Sequence, residues 1–392
     1  MTAFALTDEQ LAYLRAVREV AVQELIPLAE RGAEGKVNRP LLEAMGKHGL
    51  LGRLFGSSGR SAAAMELCLL REALSTVCTE AETALALQAL GSYPFMLFGT
   101  EGQAGRYRDG VAAGTVVASF ALSEAEAGSD AAALQLRAEP DSDGWRLTGE
   151  KSWISNAPEA DVYTVFARTT AGARARGITA FVVAGDAPGL SGEHLDMLAP
   201  HAIGRLVFDG VRVERADVLG EVDAGFKVAM RTLDVLRPSV GAFAVGMAQA
   251  ALDAAITHTT GRQAFGGVLS DQQAVSHLLA EMATRVEASR LLVYAAASAY
   301  DGGAAAPELT RKAAMAKLFA TESAQFVVDA AVQLHGARAL QRGHLLERLY
   351  RDVRAPRIYE GASEVQRTII GRSLVQAANG PAGPSGQGGP EA

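Results

Sequence analysis

The sequence predicts an α+β protein: an N-terminal helical domain over 1–114, a central, mainly antiparallel β domain over 115–225, and a C-terminal four-helix bundle over 226–376. Two observations carry this. Apolar residues recur every three to four positions up to residue 114, switch to a period of two over 115–218, and return to the helical period from Phe226. The strand candidates follow one another without intervening helices, and no glycine-rich strand-to-helix phosphate loop is present, which argues against a doubly wound dinucleotide fold. A length of 392 residues allows two or three packed units, and 49% hydrophobic with 21% charged residues suits a chain that buries a core.

In chain order, Thr7-Asp8-Glu9-Gln10 opens the first helix, Thr7 capping it and Gln10 completing a capping box. Leu11, Leu14, Val17, Ala21 and Leu25 form its apolar stripe, and Pro27 is expected to kink or end it. Helices over 65–77 and 80–90 share the period. Cys68 and Cys78, with no third or fourth cysteine, give neither a metal spacing nor a disulfide framework and read as buried thiols. Strands are expected over 115–123, 144–155, 161–168, 177–184 and 204–213, with turns at Asp141-Ser142-Asp143-Gly144 and Ala187-Pro188-Gly189. Beyond them, Val275, Leu278, Leu279, Met282 and Val286, continued by Leu292, Val293 and Ala296, make a stripe that Asp301-Gly302-Gly303 breaks. A helix over 310–334 is expected to turn Met315, Leu318, Phe319 and Phe326 inward, and the Gly-, Pro- and Ser-rich stretch 377–392 is expected to be disordered.

The net charge of -7, with no run of Lys or Arg, argues against nucleic acid as the main partner and favours a small molecule. The first ten residues carry Asp8 and Glu9 and no basic start before an apolar run, so a secretory signal is not expected. No apolar stretch reads as a membrane span, and the cytoplasm is the expected compartment.

Four motifs then occur in order across most of the chain: Ala121-Leu122-Ser123-Glu124-Ala125-Glu126-Ala127-Gly128-Ser129-Asp130; Gly149-Glu150-Lys151-Ser152-Trp153-Ile154-Ser155-Asn156; Arg262-Gln263-Ala264-Phe265-Gly266 with Gln273; and Arg351-Asp352 with Ile358-Tyr359-Glu360-Gly361. At these residues the sequence closely resembles the acyl-CoA dehydrogenase family. The resemblance implies a homotetramer with one FAD per subunit, held between the β domain and the C-terminal bundle, and an electron-transfer flavoprotein or similar acceptor. It places Phe120, Leu122 and Ser123 along the flavin ring, with Trp153 packed on the ring and the Ser155 hydroxyl near N5. Arg262, Phe265 and Gln273 match residues that reach the neighbouring subunit's FAD. Gln333, Gly336 and Ala337 match an adenine-side segment, and Ala362 and Glu364 follow the base. Ser129 matches a position between cofactor and substrate, and with Gly361 a contact to the pantetheine arm. Asp234 and Arg237 match a pair at the acyl site. Each also has a plainer reading: Trp153 as sheet core, Arg262 as a surface helix residue, Asp234 and Arg237 as a local ion pair three residues apart.

Glu360 is the expected catalytic base. The α C–H of a thioester is a very weak acid, so a poorly solvated carboxylate must take the proton while the carbonyl is polarised and hydride leaves the β carbon. The resemblance adds that the Glu360 backbone N–H helps to form the oxyanion site. The plainer alternative pairs Glu360 with Arg351, Arg354 or Arg357. Relatives that place the base on an earlier helix do so at the position of Leu236, and a leucine cannot serve.

Departures from the family pattern bear on the substrate. Ser123, Ser155 and Ala362 stand where threonine is usual, Ala125 where proline is, and Ala337 and Ala339 where glycines are. The segment 53–59 is abbreviated, which motivates an acyl carrier protein as an alternative to CoA. Two other functions compete with a dehydrogenase: a flavin oxidase or monooxygenase on the same scaffold, and a binding protein that has lost its chemistry.

Overall fold

A computed structural model describes residues 6–56 and 58–378. The first five residues, Ser57 of the abbreviated segment and residues 379–392 lie outside it.

The N-terminal domain holds α1 (Asp8–Val20), α2 (Ile26–Ala29), α3 (Arg39–Lys47), α4 (Ala64–Ser75), α5 (Thr79–Phe98) and α6 (Glu101–Ala113). The capping box forms: Thr7 Oγ1 accepts from the Gln10 N–H at 3.2 Å and Gln10 Oε1 from the Thr7 N–H at 3.0 Å. Between α1 and α2 the chain widens into a π-turn, Ala21–Leu25. Pro27, which has no N–H to give, follows in the first turn of α2, and the helix ends one turn on. α5 runs beyond the expected 80–90 stretch and passes through Pro94. Both cysteines are buried thiols.

The middle domain is one eight-stranded sheet of β1 (Ala118–Ala121), β2 (Arg137–Asp141), β3 (Gly144–Ser155), β4 (Val162–Arg168), β5 (Ile178–Ala184), β6 (Leu190–His194), β7 (Ile203–Glu214) and β8 (Val218–Leu219). The order is β6-β7-β3-β2-β4-β5-β8 with β1 beside β4, and every pairing is antiparallel except those of β4 with β1 and β2. Three strands escape the period-two reading for a physical reason: β2 buries only Ala138, β6 buries nothing, and β8 has two residues. Helix α5 lies tight on β1. A Cβ at Gly91 would come within 2.4 Å of the Ala118 carbonyl carbon and the Ser119 nitrogen.

The C-terminal domain comprises α7 (Gly225–Gly261), a hairpin of β9 (Gln263–Ala264) and β10 (Gly267–Val268), then α8 (Gln273–Asp301), α9 (Ala306–His335), α10 (Leu345–Asp352) and α11 (Ser363–Ala378). α7 is the centre of the molecule, packed against α4, α5, α8 and α9. Asp301, at the end of α8, accepts from the Ala64 and Met65 N–H groups at 2.7 and 2.9 Å and so caps α4 from another domain.

Three expectations need correction. α7 is long and apolar enough to cross a membrane, contrary to the sequence reading. Most of its apolar stretch is buried against neighbouring helices, which is what its apolar character serves here. On α9, Met315 and Phe319 point outward and Leu318 and Phe326 are only half-buried; the inward face is small, Ala313, Ala316, Ala320 and Ala324, because α7 approaches closely. Finally, Ala377 and Ala378 belong to α11 and not to a disordered tail.

Candidate active site

Glu360 sits in the link between α10 and α11 in a left-handed turn, φ +50°, followed by Gly361 at φ +95°. A glutamate held there is strained, a condition that persists only where the surroundings enforce it. Lys317 of α9, wholly buried, donates from Nζ to the Gly361 carbonyl at 2.6 Å. Gln366 Nε2 donates to the same oxygen at 3.0 Å and to the Glu360 carbonyl at 3.4 Å. Glu360 Oε2 is buried and has no hydrogen-bond partner, and the Glu360 N–H makes no backbone hydrogen bond among the described residues. The pairing with nearby arginines does not form: Arg351 bonds Glu347 at 2.8 Å and Arg357 bonds Glu322 at 2.9 Å. Leu236 is buried.

Burial raises the Glu360 carboxyl above the usual glutamate range, while the charges of Arg71, Lys317 and Arg237 pull it back. Burial also pushes the Lys317 ammonium down to about 8. Preceding Glu360, Tyr359 keeps 38% of its surface open, and burial of its phenol among protein atoms raises it well above the ordinary range.

Two helices of the first domain bring a second charged pair here. Arg71 of α4 and Glu82 of α5, both buried, bond through Arg71 Nε, and Arg71 Nη1 donates to Ser239 Oγ of α7 at 2.7 Å. Burial pushes the Glu82 carboxyl up to about 7, against the pull of Arg71. Farther along α7, Asp234 and Arg237 pair at 2.6 Å, as their spacing allows. Asp234 also lines a cavity of about 460 Å³ together with Phe98, Arg231, Pro238, Tyr300 and Thr310.

Sequence reading missed Arg71, Glu82 and Lys317. Their signal was a charge set within an apolar helical run, Leu69-Leu70-Arg71 and Ala316-Lys317-Leu318.

On the β domain, Phe120 and Leu122 are buried, with Phe120 4.9 Å from Phe166. Ser123 and Ser155 are half-buried, and the Ser123 carbonyl accepts from the Ser152 N–H at 3.0 Å, so both predicted flavin segments are held side by side. Lys151, wholly buried, ties the loop by donating to the Leu122 carbonyl and Glu124 Oε1, each at 2.9 Å. Trp153 is not sheet core: it is 49% exposed on a left-handed backbone, φ +57°. Ser129 is exposed on the loop beyond.

The remaining predicted positions gather at the other end of α7. Arg262 caps that helix, Phe265 stands 91% exposed at the hairpin tip with φ +55°, and Gln273 opens α8. A cavity of about 440 Å³ is lined by Thr257, His258, Gly261, Arg262, Gln263 and Arg338, and His258 stacks on His335 at 4.2 Å. Gln333, Gly336 and Ala337 close α9 there. Ala362 is half-buried and Glu364 exposed where α11 begins. About 25 helical residues, roughly 37 Å, separate Arg262 from Arg237, so a single chain does not bring the two groups into one site.

Compared with known proteins, the chain matches all three models of acyl-CoA dehydrogenase: the N-terminal domain over 7–115, the middle domain over 119–211 and the C-terminal domain over 223–375. It is 37% identical over 381 residues to a probable acyl-CoA dehydrogenase of Mycobacterium tuberculosis, covering 95% of this chain and 97% of that one. Among solved structures it is similar to butyryl-CoA dehydrogenase from Megasphaera elsdenii, with 34% identity, a TM-score of 0.89 and coverage of 96% and 100%. It is also similar to a prolyl acyl carrier protein oxidase, with 27% identity, a TM-score of 0.88 and coverage of 94% and 100%.

Proposed function

The chain belongs to the acyl-CoA dehydrogenase family, flavoprotein oxidoreductases acting on CH–CH bonds, and on that premise we propose that it converts an acyl thioester to the 2-enoyl thioester with Glu360 as base. One observation carries the assignment: the Glu360 carboxylate, raised in basicity by burial, holds an oxygen that no described residue hydrogen-bonds, on a turn that its neighbours clamp. Such an oxygen is ready to take a proton.

The residues present suit FAD. The cavity edged by Arg262 and Arg338 offers planar cations and polar backbone for a diphosphate, and Trp153 offers an uncovered aromatic face beside Ser123 and Ser155. When bound, FAD supplies the acceptor for the β hydride. The protein does the rest. Glu360 removes the α proton; the free Glu360 N–H donates to the thioester oxygen; Lys317 and Arg71 offset the negative charge that gathers there. Ser129 and Gly361 hold the pantetheine arm, and Asp234 with Arg237 borders the acyl group. The α7–α8 hairpin, with Phe265 uncovered, supports a homotetramer in which Arg262, Phe265 and Gln273 serve a neighbour's FAD. CoA or an acyl carrier protein carries the substrate, an electron-transfer flavoprotein or similar acceptor takes the electrons, and the cytoplasm is the setting.

Anaerobic bleaching of the flavin by a panel of acyl thioesters tests this; a flavin that no acyl thioester reduces, on either carrier, defeats it. The likeness to a carrier-protein oxidase supports one second reading, in which oxygen takes the electrons. Rapid peroxide formation under air selects that reading, and slow reoxidation without an acceptor selects the dehydrogenase.

A further inference from the structure

At the C-terminal end of α7, three imidazoles from separate segments gather beside the cavity proposed for the diphosphate. His258 of α7 lines that cavity and stacks on His335 of α9, with ring centroids 4.2 Å apart and planes 21° from parallel. His344, the residue before α10, meets His335 edge-on at 5.6 Å. Arg262 and Arg338 share the cavity lining, and no carboxylate does. Once either stacked ring is protonated this arrangement is repulsive, and the lining holds nothing of opposite sign to relieve it.

Hydrogen bonds decide which ring nitrogens can change state. His344 Nδ1 accepts from the Leu346 N–H at 3.1 Å, so that nitrogen carries no hydrogen and the ring serves as a neutral cap on α10. His335 Nδ1 lies 2.8 Å from the Ala331 carbonyl oxygen, which can only accept. That nitrogen is therefore an N–H, and Nε2 is the atom left to gain a proton. Burial, and after it the positive charges of His335, Arg338, Arg262 and His344, hold His258 below the ordinary imidazole range. Burial also lowers His335, joined by His344 and Arg338 and opposed by the bond to Ala331. Two rings at stacking distance oppose each other's charge, so the pair accepts one proton and not two.

Packing alone needs no titratable rings and gains nothing from two guanidiniums beside them. A bound diphosphate changes the balance. Its two negative charges do not titrate near neutrality, and in this cavity they turn the protonated stack from a repelled state into a favoured one.

Building on the FAD reading above, we infer that the His258–His335 stack belongs to the cofactor site and takes up one proton when the diphosphate of FAD binds, so that the protein holds FAD more tightly as pH falls. The sign follows from linkage. Rings neutral before binding and protonated after it draw a proton from solvent, and one proton taken up strengthens binding by at most about tenfold for each pH unit lowered.

Apoprotein of the full chain is titrated with FAD by calorimetry at pH 6.5 in buffers of different ionisation enthalpy, which counts the protons exchanged per cofactor. Quenching of flavin fluorescence from pH 6 to pH 8 gives Kd. The expected result is uptake of roughly half to one proton per FAD, and a Kd about three- to tenfold lower at pH 6 than at pH 8. His258→Phe keeps a ring in the stack but removes its proton site. It is expected to match the wild type at pH 8 and to lose both the proton uptake and the gain at pH 6, a change that a purely packing role would not produce. His335→Phe is expected to do the same. Because either substitution could disturb folding, the wild-type proton count decides on its own. FAD that binds with no proton taken up, and with a Kd flat from pH 6 to pH 8, overturns the inference while leaving the FAD reading intact. So does uptake that persists unchanged in both folded variants. Apoprotein that binds no FAD at any pH removes the cofactor reading and the inference with it.

Discussion

At the scale of the residue, the site turns on how Glu360 is held. Glu360→Gln keeps the turn and the volume but no longer accepts a proton, so flavin reduction and α-proton exchange are expected to fall about 10²–10⁴-fold while FAD and ligand still bind; stopped-flow reduction and deuterium exchange measure this. The pH dependence follows from burial. A carboxyl raised above its ordinary value is more protonated at any given pH, so the reduction rate should decline as pH falls through a limb lying above the usual glutamate range. Lys317 opposes that rise, so Lys317→Met should move the limb to higher pH, whereas a lysine that merely filled space would leave it unmoved. Glu360, Arg262 and Trp153 could be singled out as candidates in the sequence because they fall in ordered motifs. Arg71, Glu82 and Lys317 were not, since their importance comes from three helices meeting, and a charge inside an apolar helix looks the same whether it is paired with a partner or turned to water.

At the scale of the element, what the sequence disclosed depended on burial. β4 and β5 are covered along nearly their whole length and read easily; β6, open along its length, has no apolar pattern to read. α9 misled for the opposite reason. Its large side chains form the conspicuous stripe, while the contact with α7 is made by alanines that carry little signal. Close packing by small residues also joins the domains, as where α5 crosses β1. Gly91→Ala should therefore cost about 1–3 kcal/mol, because the new methyl meets backbone that cannot step aside; denaturant unfolding reads the loss.

At the scale of the whole molecule, Arg262 and Arg237 stand at separate places along α7, so the proposed FAD site calls for a second copy of the chain. Light scattering of the FAD-loaded protein is expected to give four times the 40.9 kDa chain. Arg262→Ala is expected to weaken FAD binding about ten- to hundredfold, the range for losing a hydrogen bond to a charged group, as measured by flavin retention on dilution. Domain order was readable from the change of hydrophobic period alone, but the way separate domains converge on one carboxylate was not, because contacts between distant segments leave no trace in local spacing.

The apolar length of α7 also has a bearing on synthesis. The helices that cover it from the C-terminal side, α8 and α9, end at Asp301 and His335, well after α7 has been made. At roughly 5–20 residues per second, the ribosome leaves a greasy, membrane-length segment uncovered for several seconds in every molecule produced. Nascent chains halted just past Gly261 should therefore be held by factors that guard newly made apolar segments, and chains halted past His335 should be released; crosslinking of stalled chains distinguishes the two.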